Sequence, residues 1–497
     1  MRRAKPRGIG PKEFLFALMA TTACCGLASS TLAGGLLDTV GQALENNPEV
    51  EVVKADRLAV DQELRQARAG YFPSIDFEAG IGPEYTDSPT TRGLGDGAQW
   101  ELSREGAVRL SQMLFDGFET PNEVARQRAR VDSAAYRVEE AAEFIALDAI
   151  EAHLDVLRTA EIVGLNLDNI AQHERILGLV RRLEDRGGTD VADVRQAESR
   201  LESARAALAT SRGAAADAMA RYQRVVGVPP EDLTETLPPV EALPADREEA
   251  ASIASVSSPT VLIAAADENA SEAELRGSRS NFFPRIDAEI SGFRGYDQQG
   301  LQGSDKSASA RVVLNYNLYR GGADVARERE AFQRVNESRA RLRQVREDAE
   351  EEARVSYNAL LTAREQSVAL GAKEVSQGLV RDAYTQQFEI GERDLLDVLD
   401  SENELFLDRV NFTTAQYVER FATYRVLAVA GMLLDTLEVS GPREQINIAR
   451  NQDNLLTPER VEENSVPLRD ANAQPLPLTD PLAGAPPDLV PVAKPGQ

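Results

Sequence analysis

The sequence contains the same set of motifs twice, and this duplication limits the folds that the chain can adopt. NNPEV at residues 46–50 corresponds to SSPTV at 257–261. FPSID at 72–76 corresponds to FPRID at 283–287, and both pairs are separated by 211 residues. Several matches in the same order indicate two copies of one structural unit.

The offset between the copies changes to 204 residues farther along the chain. LSQMLFDG at 110–117 corresponds to LNYNLYRG at 314–321, and Gly187 and Asp190 correspond to Gly391 and Asp394. The difference of seven residues falls between the Phe-Pro motif and the Leu-rich motif. Because insertions are tolerated in surface loops, this connection is predicted to be a loop.

Each copy is predicted to contain a helix, two strands, a long helix, a turn and another helix. Apolar and polar residues alternate in residues 74–81 and again in residues 308–318. This period of two suits strands between lipid and water, which need about ten residues per crossing. A soluble hairpin with one buried face has the same pattern.

The long helix of the first copy has a coiled-coil pattern. TPNE at 120–123 predicts its start, with Thr120 as the capping residue. Apolar residues then recur at alternating spacings of four and three, at Val131, Ala135, Val138, Ala142, Ile145, Ala149, Ala152 and Val156. A helix that continues to Gly187 would be about 100 Å long, at ~1.5 Å per residue.

Two shorter helices are predicted after the first long one, at about 190–226 and 246–281. Their lengths suggest that two short helices stack end to end beside each long helix. The sequence therefore predicts a mainly α fold of long antiparallel coiled-coil helices, with four β-strands per chain. Four strands cannot close a barrel, and open sheet edges are not tolerated in lipid. Two copies would supply eight strands and three copies twelve.

The ends of the chain differ from the repeats. Residues 1–33 are predicted to be a signal peptide, because basic residues precede a short apolar run and small residues. Cys24 and Cys25 both lie in it, and lipidation at one of them is the alternative. The repeats are placed at 34–230 and 246–440, with a linker at 231–245. Residues 441–497 hold ten of the 24 prolines and are predicted to be a disordered tail.

No segment after the signal peptide is expected to form a transmembrane helix. The net charge of −26 argues against nucleic-acid binding, because an acidic surface repels phosphates.

The duplicated motifs resemble those of the TolC family of outer-membrane efflux proteins. The motifs that carry the resemblance are Asn47 with Pro48, the Phe-Pro pairs at 72–73 and 283–284, LFDG at 114–117, and GERDLLDVLD at 391–400. This resemblance implies a homotrimer in the outer membrane, with a shared twelve-stranded β-barrel and a periplasmic α-helical tunnel. It also implies docking to a periplasmic adaptor and an inner-membrane pump. The run ARAGYFP at 67–73 is most similar to type I secretion components, whose pump is an ABC exporter.

Asp397 and Asp400 are the strongest candidate site residues. They are three residues apart and share a helix face, so a trimer would gather an acidic ring that favours cations. In the family, aspartates at these motif positions form the periplasmic constriction. The alternative is that these four acidic residues have a structural role at the starts of helices. Asp190 and Asp394 would then be N-caps, and Asp193 and Asp397 would lie near the first turn, where the helix dipole stabilises a negative charge.

The resemblance also implies a link between the two turns that closes the tip. Asp193 and Arg393 occupy the matching positions, whereas Phe388 replaces an aromatic residue that carries a hydroxyl in the family. One part of the link is therefore expected to be missing. The alternative for Arg393 is a solvated turn residue.

Catalysis and cofactor binding have no residues to support them. His153 and His173 are twenty residues apart on one predicted helix, which is not metal-ligand spacing. The sequence has no phosphate-binding loop or nucleophile elbow. The remaining alternatives are a multidrug efflux component and a periplasmic coiled-coil scaffold without a barrel.

Overall fold

The computed structural model describes residues 35–94 and 99–445. The predicted signal peptide and nearly all of the predicted tail lie outside the described residues. The first repeat contains α1 (Leu36–Asn46), α2 (Pro48–Ala69), β1 (Ser74–Thr86), α3 (Pro89–Leu94), β2 (Gln99–Phe115), α4 (Glu119–Glu184) and α5 (Val191–Val226). The second contains α6 (Arg247–Ser257), α7 (Pro259–Ser278), β3 (Arg285–Gln298), β4 (Leu301–Asn315), α8 (Ala323–Glu389), α9 (Leu395–Val429) and α10 (Leu433–Thr436).

The two long helices are the longest elements of the described chain. α4 has 66 residues and α8 has 67, so each is about 100 Å long at ~1.5 Å per residue. All eight apolar residues of the predicted α4 seam are buried, which confirms the coiled-coil pattern. The predicted capping residue of α4 is wrong: Thr120 lies inside the helix, and its N–H donates to Asp116 Oδ2 at 2.7 Å.

Short helices stack end to end beside each long helix, as expected. α5 and the α1–α2 pair pack along α4, whereas α9 and the α6–α7 pair pack along α8. The predicted single helix at 246–281 is wrong, because Pro259 starts a new helix after Ser258. Its ring removes a backbone donor and disfavours the helical conformation of the preceding residue. α7 also packs against α4 and so connects the two repeats.

The four strands form one antiparallel sheet in the order β1-β2-β3-β4. β2 and β3 belong to different repeats, so their pairing joins the repeats within the sheet. Its register places Leu110 opposite Ile290, with an irregularity between Met113 and Phe115. The prediction that the last strand reaches Leu318 is wrong, because β4 ends at Asn315.

The stretch Arg247–Phe282 is long and apolar enough to cross a membrane by length and composition, which corrects the expectation that no such segment exists. Its apolar residues instead contribute to a protein core. Ala250, Ala254 and Val261 are buried in one cluster with Leu342 and Leu360 of α8. The stretch is therefore a pair of packed core helices within the second repeat.

Candidate functional site

Two tight turns lie at the ends of the long helices and form what we call the tip. The first joins α4 to α5 through Gly187 (φ +73°), and the second joins α8 to α9 through Gly391 (φ +80°). Glycine is favoured at both positions because other residues rarely adopt a positive φ. In the second turn the N–H groups of Gly391 and Glu392 donate to carbonyls at the end of α8, at 3.0 and 2.9 Å. The chain therefore reverses within a few residues.

An apolar core holds the two turns together. Phe388 is buried there with Leu177 and Val180 of α4 and Leu395 and Leu399 of α9. This packing explains why Phe388 carries no hydroxyl: its ring is part of the core between the repeats. A phenyl ring in this core offers no hydrogen-bond donor to the turns.

Tyr384, one helical turn before Phe388, supplies the aromatic ring at this site. The Arg393 guanidinium carbon lies 3.9 Å from the centroid of that ring. Arg393 also donates to Asp397 Oδ2 and to Gln387 Oε1, both at 3.1 Å. The hydrogen bond to Asp397 raises the pKa of the guanidinium. Arg393 is therefore held by a carboxylate and an aromatic face, and is not a free turn residue.

Asp400 pairs with an arginine of the other repeat. Arg200 on α5 donates to Asp400 Oδ1 on α9 at 2.8 Å, and the Asp400 side chain is 53% exposed. Asp397 is also accessible, with 46% of its side chain exposed. Each candidate carboxylate thus has a cation beside it, which reduces the negative field that it presents to solvent.

The two aspartates of the first turn have mainly local roles. Asp190 accepts a hydrogen bond from the N–H of Asp193 at 3.1 Å, which confirms it as a helix cap. The Asp193 carboxylate accepts from the Thr189 hydroxyl. Asp394 occupies the N-cap position of α9, but its side chain makes no capping hydrogen bond.

The predicted partners Asp193 and Arg393 are bonded to other residues within this chain. The structure pairs Asp193 with Thr189 and Arg393 with Asp397, so a link between them stays a prediction. Sequence reasoning missed Arg200 and Tyr384. Both lie on the helix faces of residues that the sequence analysis singled out, because Arg200 lies two turns after Asp193 and Tyr384 one turn before Phe388. The partners of Arg200 and Tyr384 depend on tertiary packing and are not shown by that spacing.

Polar side chains are buried between α4 and α9, above the tip. His173 of α4 and Glu402 of α9 are both buried, and Arg381 donates to Glu402 at 2.8 Å. Burial lowers the pKa of His173, so the imidazole is neutral at neutral pH. Across residues 35–94 and 99–445, no group of three or more His, Cys, Asp or Glu side chains is arranged to hold a metal ion.

The repeats coincide with the two segments matched by a known family. The family described as "Outer membrane efflux protein" matches residues 39–228 and 250–429. The chain belongs to this family. The first matched segment runs from α1 to the end of α5, and the second runs from α6 to the end of α9. Each matched segment therefore corresponds to one repeat.

Curated relatives of this efflux protein span most of its length. The outer membrane efflux protein BepC of Brucella suis is 26% identical over 423 residues, covering 84% of this chain and 89% of BepC. The outer membrane protein TolC of Escherichia coli is 21% identical, covering 89% and 91% of the two chains. The alkaline protease secretion protein AprF of Pseudomonas aeruginosa is 23% identical, covering 82% and 86%.

Solved channel structures share the fold of this efflux protein. A crystal structure of CusC matches with a TM-score of 0.70 at 16% identity, covering 80% of this chain and 92% of CusC. The open state of the MtrE channel of Neisseria gonorrhoeae matches with a TM-score of 0.67 at 17% identity. Because the chain belongs to the outer membrane efflux family and shares this fold, it is an outer-membrane channel with a periplasmic helical tunnel.

Proposed function

We propose that this efflux protein is the exit duct of a type I protein secretion system. The duct would be a passive homotrimer, docked to a periplasmic adaptor and an inner-membrane ABC exporter. Two relatives support the choice of protein cargo: AprF is named for alkaline protease secretion, and PrtF of Dickeya chrysanthemi is named for protease secretion. Both align with about four fifths of this chain.

The observation that carries the channel proposal is the open four-stranded sheet. β1 and β4 pair on one side only within the described chain, and the apolar side chains of β1 are largely exposed. An open sheet in lipid leaves unpaired N–H and C=O groups at both edges. Three copies would close a barrel of twelve strands, and apolar residues such as Phe77 and Ile81 would face the lipid.

Multidrug efflux is the second candidate function. It is supported by BepC, which is named an efflux protein and shares 26% identity over most of both chains. The duct itself has no chemistry that would select between the two cargoes, because the tip presents the same few charged groups to either. The choice of pump therefore decides the substrate class.

We further propose that the tip is both the constriction and the gate. Asp397 and Asp400 would form the acidic ring, with Arg393 and Arg200 as counter-ions that hold the ring closed. The Arg200–Asp400 pair joins the two repeats, so opening must separate a 2.8 Å ion pair. Asp193 and Arg393 would form the additional link between turns when the tip is closed in the trimer.

Deletion of the gene tests the cargo. In the deletion strain, protein secretion into the medium should fall while drug susceptibility stays near the wild-type level, and the intact gene should restore secretion. Increased susceptibility with unchanged secretion would instead support the multidrug alternative. The purified protein should have the mass of a trimer in detergent and should form channels in planar bilayers. A monomer without conductance would contradict the channel itself.

A further inference from the structure

The register of the sheet divides its side chains between two faces. Phe77 on β1 lies opposite Val108 on β2, which lies opposite Gly292 on β3. Ala308 on β4 continues this row. Residues that lie opposite each other share a face, and so do residues two apart on one strand. We call the side that carries this row the outer face and the other side the inner face.

The two faces differ in charge. The outer face is mainly apolar, from Ile75 and Phe77 on β1 to Val312 and Leu314 on β4. An apolar outside and a polar inside are the arrangement of a membrane barrel, so the outer face is the side toward lipid. The acidic residues at paired positions of the four strands all lie on the inner face: Asp76, Glu78, Glu84, Glu101, Glu105, Asp287, Glu289 and Asp305.

Three cations lie close together on the outer face, one on each of three neighbouring strands. Arg294 on β3 lies opposite Lys306 on β4. Arg104 on β2 lies opposite Tyr296, two residues from Arg294, so the two arginines are diagonal neighbours. The Cβ atoms of opposite residues are about 5 Å apart and those of diagonal neighbours about 7–8 Å, so the three charged groups can reach one ligand. We call Arg104, Arg294 and Lys306 the basic cluster.

The described part of the chain supplies no counter-ion for the basic cluster. All three side chains are exposed, and none of them takes part in an ion pair there. On the inner face, by contrast, Arg311 pairs with Glu289 at 2.8 Å. Like charges directly opposite each other destabilise a sheet, so the Arg294–Lys306 pair favours an anion from outside the chain.

The basic cluster lies where the apolar stretch of the outer face ends. Ile286 and Leu314 are paired at the end of the sheet next to the helices. Arg294 is eight residues beyond Ile286 on β3, and Lys306 is eight residues before Leu314 on β4. Because a strand crosses the apolar part of a bilayer in about ten residues, the cations lie near the level of the lipid headgroups.

These headgroups belong to the outer leaflet. The basic cluster lies in the half of the sheet next to the β1–β2 and β3–β4 connections, away from the helices. Because the helical tunnel is periplasmic, this half faces the outside of the cell. Tyr85 and Trp100 lie still closer to the β1–β2 connection on the outer face, with ring centroids 5.4 Å apart. Aromatic rings at such a position are typical of a membrane interface.

We propose that the basic cluster binds the phosphate groups of a glycolipid of the outer leaflet. The probe for this class is lipid A, whose headgroup carries two phosphates, whereas phosphatidylglycerol carries one. A guanidinium binds a phosphate through two N–H groups, and an ammonium adds a point charge. Three cations therefore match the glycolipid better than the phospholipid. This inference rests on the barrel proposed above and adds a lipid ligand to its outer surface.

Arg294 is already oriented for this contact. Its guanidinium donates to the Tyr296 hydroxyl, and the guanidinium carbon lies 4.9 Å from the centroid of the Tyr296 ring. The remaining N–H groups are free to donate to a phosphate. An arginine held against a ring loses less freedom on binding than an unrestrained one. The acyl chains of the same lipid would lie along the apolar rows that contain Phe77 and Val108.

Binding of lipid A to the purified, complete protein tests this inference. Native mass spectrometry in detergent counts the bound lipid A molecules and gives a dissociation constant, and we expect one preferred molecule per chain. Arg104→Gln, Arg294→Gln and Lys306→Gln should each weaken binding about fivefold, the effect of one basic residue at an anionic surface. Arg109→Gln is the matched control, because it removes the same charge from the inner face of β2 and should bind lipid A like the wild type.

Two further ligands identify the chemistry that is recognised. Lipid A without its phosphates keeps its sugars and acyl chains, and it should bind about tenfold more weakly because the anions are lost. Phosphatidylglycerol should also bind more weakly than lipid A when the two compete. Each variant loses one charge at an exposed position, so trimer mass and conductance should be the same as in the wild type.

The outcomes separate this inference from the proposed function. Weaker binding in the three outer-face variants only, together with weaker binding of the dephosphorylated lipid, supports the site. Unchanged binding in these variants, or equal weakening in Arg109→Gln, overturns the site, and a conducting trimer then leaves the exit duct standing. Phosphatidylglycerol bound as tightly as lipid A overturns the assignment to a glycolipid. A monomer without conductance overturns both the site and the duct.

Discussion

The side-chain amide of Asn47 donates a hydrogen bond to the backbone carbonyl of Val225 at 3.0 Å. Its oxygen accepts from the N–H of Glu49 at 2.9 Å, so Asn47 caps the start of α2 and holds the end of α5 at once. The second repeat has a related contact, in which the Ser257 hydroxyl donates to the Ala430 carbonyl at 3.0 Å. These junctions are where short helices meet beside each long one.

Replacing Asn47 by Asp should destabilise the protein although Asp is an equally good helix cap. The carboxylate keeps the acceptor for Glu49 but has no donor for the Val225 carbonyl, which lies in a buried contact. We expect a loss of about 1–3 kcal/mol, typical of a buried polar group left unpaired. Thermal melting of the helical circular dichroism signal measures it. Ser252→Ala, an exposed hydroxyl on α6, is the control and should melt like the wild type.

Gly431→Ala and Gly213→Ala should have effects of opposite sign. At Gly431 (φ +67°) a Cβ would lie 2.8 Å from the Pro259 ring and 3.0 Å from the Ser257 carbonyl oxygen. Gly213 lies inside α5 with nothing within 4 Å. Alanine at Gly213 should stabilise the helix by about 0.5–1 kcal/mol, whereas alanine at Gly431 should lower the melting temperature by several degrees. Equal melting temperatures would contradict the junction contact.

Replacing Asp397 and Asp400 together by Ala should reduce the preference of the channel for cations. Two carboxylates per copy are lost from the constriction, while Arg200 and Arg393 remain and make the ring more positive. Reversal potentials in a salt gradient across a planar bilayer measure the change, and block by multivalent cations should weaken. Glu330→Gln, near the strand end of α8, removes charge far from the tip. If selectivity and block are the same as in the wild type, these residues do not form the constriction.

Charge reversal at Arg393 should increase the leak through the closed channel. Arg393→Glu removes the hydrogen bond to Asp397 and the contact with the Tyr384 ring, and it adds a negative charge beside an existing one. Arg182→Glu makes the same charge change near the end of α4 and is the matched control. Single-channel recordings should show a higher open probability for the first variant only. An unchanged open probability would remove Arg393 from the gate.

The buried carboxyl of Glu143 should make stability depend on pH. Burial raises the pKa of Glu143 from 4.5 to about 8, and the N–H of Leu434 donates to this side chain. Because the folded protein binds the proton more tightly than the unfolded chain, the contribution to stability is complete below pH 4.5 and is lost as the pH rises toward 8. The melting temperature should therefore fall between about pH 5 and pH 9.

Glu143→Gln should flatten this pH dependence and raise the melting temperature at about pH 9. The amide keeps the acceptor for Leu434 and carries no charge to desolvate. Glu347→Gln, at an exposed position of α8, should leave the slope as it is in the wild type. A slope that persists in Glu143→Gln would assign the pH dependence to another group.

Local sequence patterns predict most elements but not their ends. A short stretch of sequence is enough to show apolar periodicity and turn residues. The α4 seam, the tip glycines and the starts of the strands were predicted from these two signals. Thr120 is a poor guide to the start of α4, because Asp116, four residues earlier, accepts its N–H. Ser258 and Pro259 divide a helix that the apolar composition alone predicts as continuous.

The duplication, the long helices and the number of strands per chain followed from the sequence alone, because self-similarity and apolar periodicity are properties of the residue order and need no tertiary contact. Tertiary structure decided which residues meet across long separations. The Arg200–Asp400 pair, the burial of Phe388 and the β2–β3 register depend on how helices and strands from different repeats pack. Nothing local to those residues records their partners, so only the packed chain could reveal them.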